Sequence, residues 1–179
     1  MAASAELSDQ AIREAEPVLM AFAVRAVRRE EVARDLVQDT FVAAIENRAS
    51  FEGRSKLRTW LVGILSRKIV DHFRKTRREV LTDIPPEPDS PSRFAPAPEN
   101  PPEARLDHRK ALKVVESAMG ALSELERLAV LLCDVEQADR KDACNMMGVQ
   151  PTHLRVLLHR GRHKLRKALE DAELRPGST

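Results

Sequence analysis

Residues 151–173, PTHLRVLLHRGRHKLRKALEDAE, carry three histidines and six arginines or lysines ahead of the first acid, Glu170. His159 and His163 stand one helical turn apart, a spacing at which two imidazoles can grip a metal ion. No third ligand of suitable kind follows at helical spacing, and the neighbouring arginines repel another cation, so no metal is expected here. A second chemistry is open to the same residues. Long cationic side chains on one side of a helix neutralise phosphates, and those that reach base edges read sequence. The third possibility is a basic face that is merely solvated.

Periodicity separates these readings. At 100° per residue, Leu154, Leu158, Gly161 and Leu165 share one face, widened by Leu157, Ala168 and Leu169. His159, His163, Arg166 and Lys167 lie opposite, flanked by Arg155 and Arg160. The charge is presented on one side, as binding to a polyanion requires. Residues 55–79 form a second basic block, with eight arginines or lysines against two acids. There Trp60, Ile64, Arg67, Arg74 and Lys75 lie on the side away from Leu65 and Ile69. A tryptophan among arginines can stack on an unpaired base while cations hold the backbone, or it can simply pack in a core. Asp35 and Asp39 flank Gln38 on a solvent-side arc and suit a polar contact surface. The sequence has no glycine-rich phosphate loop, no paired carboxylates sharing a face with a histidine, and no H-E-x-x-H. It therefore predicts neither an enzyme nor a cofactor.

The elements that must position these residues are helices. The chain has 179 residues, 42% of them hydrophobic, with no tyrosine and one tryptophan, and its β-branched runs are short. This predicts an all-α protein. Eight of its eleven prolines fall between Pro85 and Pro102, and residues 80–107 hold six acids against two bases. Helix cannot run through such a stretch. The expected organisation is a helical domain over 5–80, a flexible acidic proline-rich linker over 81–105, and a second helical domain over 106–172. In the first domain a helix broken near Pro17 is expected. An amphipathic helix follows, with Val32, Leu36, Val37, Phe41, Ala44 and Ile45 inward, and then one from Lys56 with Leu61, Val62, Leu65, Ile69 and Phe73 inward. Gly63 weakens that pattern without interrupting it. In the second domain the expected order is a helix over RLDHRKALKVVESAMGAL, then a helix capped by the S-x-x-E box of Ser123 and Glu126. A short helix after Asp139, a turn at Gly148 and a long helix from Pro151 complete it, the rhythm of a helix-turn-helix. Cys133 and Cys144 match no metal spacing, and the first residues lack a signal-peptide pattern, so a cytoplasmic protein is expected.

Taken together, the two basic blocks resemble a known family. DLVQDTFVAAIENRASFEGRSKLRTWLVGILSRKIVDHFRK, residues 35–75, resembles the second conserved region of bacterial extracytoplasmic-function (ECF, group 4) sigma factors of the sigma-70 family. ALSELERLAVLLCDVEQADRKDACNMMGVQPTHLRVLLHRGRHKLRKAL, residues 121–169, is similar to their fourth region. The resemblance implies core RNA polymerase and promoter DNA as partners. An anti-sigma factor, in this family often membrane-tethered, is a further partner it implies. It carries Asp35, Leu36, Gln38, Asp39 and Phe41 onto the helix that docks on the polymerase clamp. It carries Phe51, Arg54, Ser55 and Lys56 onto the loop that receives a flipped base of the −10 element. Arg58, Trp60, Arg67, Arg74 and Lys75 fall on the helix that melts and reads that element. Thr152, His153, Arg155, Val156, His159, Arg160 and His163 fall on the helix that reads the −35 element. The sequence departs from the family where Arg67 replaces a common asparagine and where His153, Leu154, Arg155, Val156 and Leu157 replace the usual Thr-Val-Lys-Ser-Arg run. Val156 cannot donate to a phosphate but can touch a thymine methyl. Two other classes stay open at this level: a helix-turn-helix regulator independent of polymerase, and an all-helical protein-binding adaptor.

Overall fold

The computed structural model describes residues 9–51, 53, 55–80 and 114–173, and every regular element among them is helical. The order is α1 (Asp9–Val27), α2 (Glu30–Glu46), a 3₁₀ turn (Arg48–Ser50) and α3 (Leu57–Val80). Residues 114–120 are helical and are called α4. They are followed by α5 (Glu124–Val130), a π-helical turn (Leu131–Val135), α6 (Arg140–Met147) and α7 (Pro151–Glu173). The chain divides into two compact units, the first built on α1–α3 and including Cys144–Gly148, which the sequence places in the second domain, and the second built on α4, α5 and α7. The expected linker over 81–105, and residues 5–8 and 106–113 of the expected domains, lie outside the described residues.

In the first unit each helix packs on the other two. Leu19, Phe22, Ala23 and Ala26 of α1 are buried, as are Ala33, Leu36, Val37 and Ala44 of α2. From α3 come Leu61, Val62, Leu65, Ile69, Val70 and Phe73. The sets are built on spacings of three, four and seven residues, the stripe that a helix buries. Two hydroxyls share this core, each satisfied within its own helix. Thr40 Oγ1 donates to the Leu36 carbonyl at 2.7 Å, and Ser66 Oγ donates to the Val62 carbonyl at 2.7 Å.

Three expectations are corrected. α1 runs unbroken through Pro17. That residue is exposed, so the backbone bond proline removes is lost on the solvent side while Leu19, Phe22 and Ala23 hold the following turns. Ile45 is 58% exposed, because the buried stripe of α2 is carried instead by Ala33, Thr40 and Ala44. Small residues there let the helices approach closely, and periodicity of large apolar residues misses them. Leu169 is exposed, being near the far end of α7, where Leu165 and Ala168 are already only half-buried.

α1 ends at Arg28, whose φ of +60° is left-handed and whose amide donates to the Val24 carbonyl at 2.8 Å. α2 ends at Asn47, whose backbone and side-chain amides both donate to the Ala43 carbonyl, at 3.0 and 2.8 Å. The loop that follows turns through Gly53, with φ +68°. In the second unit the capping box is present. The Glu126 amide donates to Ser123 Oγ at 3.4 Å, and the Ser123 amide donates to Glu126 Oε2 at 2.9 Å. The buried Arg127 guanidinium donates to the Met119 and Leu122 carbonyls at 3.2 and 3.0 Å, tying α5 to the end of α4. α7 packs on α5. At their crossing, a Cβ added to Gly161 would lie 2.9 Å from Val130 Cγ2 and 3.5 Å from Leu122 Cδ2. Asp139 Oδ1 accepts the Lys141 amide at 2.6 Å and opens α6. Gly148, with φ +62°, ends it, and Pro151 begins α7 at the position where a missing amide costs nothing.

Candidate nucleic-acid interface

α7 buries Leu154, Leu157, Leu158 and Gly161 and exposes Thr152, His153, Arg155, Val156, His159, Arg160 and His163. All seven residues assigned by resemblance to −35 reading therefore lie on one solvent-facing side. Arg140 of α6 joins Arg155, His159, Arg160, Arg162, His163 and Arg166 around an open groove of about 510 Å³, with Val156 and Leu158 also in its wall. Among the described residues no carboxylate lines it. Such a surface carries no acid to compete with an entering phosphate.

Two cations of this stretch do something else. Arg162 forks onto Asp134, with Nη2 donating to Oδ1 at 2.6 Å and Nε to Oδ2 at 3.1 Å. This bond to Asp134 raises the already high guanidinium pKa, against the smaller opposing effect of burial. Lys164 Nζ donates to Glu126 Oε2 at 2.7 Å. Burial by itself would raise the Glu126 carboxyl. Lys164, together with the Ser123 amide and hydroxyl, outweighs it and holds the carboxyl below the ordinary glutamate value. One carboxylate thus caps α5 and anchors α7. Of the six arginines and lysines between 153 and 169, Arg162 and Lys164 are fastened to α5 and its π turn, and four remain directed outward. Asp134 and Glu126 were not singled out as anchors from sequence. Only the capping box hinted at Glu126, and nothing hinted at Asp134, 28 residues from its partner. His159 and His163 are exposed at i,i+4, and among the described residues no three His, Cys, Asp or Glu side chains gather as a metal site would need.

In the first unit, Asp35, Gln38 and Asp39 form an exposed edge of α2. Leu36, grouped with them by resemblance, faces the core, and Phe41 is half-buried. Ser55, Lys56, Arg58, Arg67, Arg74 and Lys75 are exposed, and Arg54 lies outside the described residues. Phe51 is 4% exposed, so it cannot offer a ring face to a base. Its place is beneath Trp60, with ring centroids 5.1 Å apart and the planes tilted by 46°. Trp60 is half-buried. One part of the indole rests on Phe51 while another meets solvent. Near the end of α3, Arg74, Lys75 and Arg78 surround a shallow concavity of about 470 Å³ with Asp71, which pairs with Arg74 at 3.4 Å.

Basic helical faces of this kind occur in many DNA-binding proteins, and comparison with known sequences and structures narrows the choice. The sequence model of Sigma-70 region 2 matches residues 11–79. A "Probable RNA polymerase sigma factor" of Haemophilus influenzae is 36% identical over 75 residues, which cover 42% of this chain and 39% of that protein. The chain thus spans less than half of that relative. ECF RNA polymerase sigma factor EcfG of Rhodopseudomonas palustris is 29% identical over 151 residues, 83% of this chain and 77% of that protein. Among solved structures, the sigma factor RpoE of Bartonella quintana, crystallised with the anti-sigma factor NepR, superimposes with a TM-score of 0.70 at 28% identity. That alignment covers 90% of this chain and 95% of that one. The sequence match falls on the helices that carry the exposed α2 edge and the basic face of α3, and over most of its length the chain is similar to ECF RNA polymerase sigma factors.

Proposed function

We propose that this chain directs RNA polymerase to promoters and begins transcription there, as a non-catalytic subunit. The observation that carries the reading is the match of Sigma-70 region 2 to residues 11–79, a stretch that contains both the polar edge of α2 and the cationic face of α3. Asp35, Gln38 and Asp39, with Phe41 beside them, dock on the polymerase clamp. Lys56, Arg58, Trp60, Arg67, Arg74 and Lys75 hold and open the −10 element, where stacking and phosphate neutralisation offset the few kcal/mol needed to flip a base. α6, the Gly148 turn and α7 act as a helix-turn-helix, with α7 entering the major groove at the −35 element. The two functions reside in domains over 5–80 and 106–172 joined by the proline-rich segment 81–105, in a cytoplasmic protein. The complex of the similar RpoE with an anti-sigma factor supports a comparable partner for this chain.

The test is reconstitution. The purified chain is added to core RNA polymerase, and transcription is measured from a library of duplex promoters. Promoter-dependent initiation is expected, and Asp39→Lys is expected to weaken holoenzyme assembly while leaving the circular dichroism spectrum unchanged. Failure to assemble with core polymerase, combined with sequence-specific DNA binding by the free chain, would replace this reading with that of an independent helix-turn-helix regulator.

A further inference from the structure

The groove along α7 has one property that phosphate binding does not explain. Val156, in its wall, is 43% exposed and stands among Arg155, His159 and Arg160. The other exposed large apolar side chain of α7 is Leu169, thirteen residues on and about 20 Å along the axis. Val156 is the sixth residue of α7, on the stripe with His159, Arg160 and His163 that the helix turns outward. It stands apart from Leu154, Leu157, Leu158 and Gly161, the residues that α7 buries. An isopropyl group there cannot bond a phosphate or the polar edge of a base. In the major groove of DNA the one apolar group presented by the bases is the C5 methyl of thymine. Residues in the first turns of a recognition helix are the ones that reach base edges.

We propose that Val156 is a specificity-determining residue that reads a thymine through its 5-methyl group, with the arginines on either side fixing the helix on the phosphates. The proposal rests on α7 being the −35 helix, and it adds the identity of one base and the group by which that base is recognised. The preference is for thymine over cytosine and, equally, over uracil at the same position. The second comparison isolates the methyl, because uracil retains every hydrogen-bonding group of thymine. Burying one methyl group contributes about 0.8 kcal/mol, so its removal from the DNA should weaken binding about four-fold.

The experiment uses holoenzyme assembled from the full chain and core polymerase. A duplex library randomised over the −35 region is selected for binding. Each thymine of the selected sequence is then replaced in turn by deoxyuridine, and affinities are measured for the wild-type protein and for Val156→Ala. The expected result is one thymine whose replacement costs the wild type about four-fold and costs Val156→Ala almost nothing. The exposed position of Val156 makes the alanine variant a sound partner in this cycle, and circular dichroism checks it. Thymine-to-uracil changes that are neutral everywhere, a loss that is equal in both proteins, or a selected sequence without thymine would each overturn the proposal while leaving −35 reading by α7 in place. If the library yields no preferred sequence, and joint neutralisation of Arg155 and Arg160 leaves binding unchanged, α7 does not read DNA, and both the −35 assignment and the proposal fall.

Discussion

Trp60 packs on one side and meets solvent on the other. Its contact with the buried Phe51 anchors the loop after α2, and the proposed role gives its half-exposed remainder to a base. Truncating a fully buried tryptophan to alanine costs about 3–5 kcal/mol. For the half-buried Trp60, Trp60→Ala should cost about 2 kcal/mol, measured as a fall in the urea midpoint. The same variant should lose more transcription from a duplex promoter than from one already mismatched over the −10 element, whereas a residue that only packs would affect both templates alike. Glu126 gives a second prediction at this scale. Its carboxyl is held below the ordinary value in the folded chain. The stability it contributes is therefore fully present above the unfolded glutamate pKa of about 4.3 and is lost as pH falls through the lower folded value. Hydrogen exchange of the α5 and α7 amides should accelerate across that acid window in the wild type. Glu126→Gln should lower protection at neutral pH and flatten the dependence across the same window.

At the scale of elements, the α5–α7 crossing depends on Gly161. Alanine there gains about 1 kcal/mol of helix propensity but forces a methyl into Val130, and overpacking of this kind costs about 1–3 kcal/mol. Gly161→Ala should lower stability modestly and Gly161→Val more severely. Adding Val130→Ala to Gly161→Ala should recover part of the loss, a positive coupling read from a double-mutant cycle by thermal unfolding. The π turn acts on the same crossing. In an uninterrupted helix Val135 would follow Leu128 and Leu132 on the buried stripe, yet it is 50% exposed. The wider turn rotates it outward, while Asp134 within the turn reaches Arg162. Left-handed Gln137, with φ +53°, closes the turn as the Ala138 amide donates to the Leu132 carbonyl at 2.9 Å. An S-x-x-E box followed by apolar residues predicts the start of this helix well. Its widened end leaves no pattern, because it arises from what the following residues must reach.

For the whole molecule, the proposed role requires two helical units to address one polymerase and two promoter elements. The eight prolines between Pro85 and Pro102 make the intervening sequence unsuited to helix or central strand. Limited proteolysis of the isolated chain should cut first between Pro85 and Arg105. Early cutting within residues 35–75, with the proline-rich stretch resistant, would contradict the division into domains. The net charge of +2 conceals the feature that matters at this scale, namely two cationic blocks on separate units with an acidic stretch between them in sequence.

The sequence by itself determined the helical class and the sides of α3 and α7 that turn inward, because each of these is written in local spacing. Apolar residues at 3.6-residue periods define a face without reference to any partner. The motifs that carry the family resemblance also sit within continuous stretches of chain. Tertiary structure alone decided that α1 runs through Pro17 and that Ile45 of α2 faces water. It also decided that Phe51 lies beneath Trp60, and that Arg162 and Lys164 pair with Asp134 and Glu126. Each of these outcomes depends on which residue stands opposite across a gap of many positions, and on whether a small side chain there lets two helices close. Helical periodicity holds no information about that opposite residue; packing supplies it.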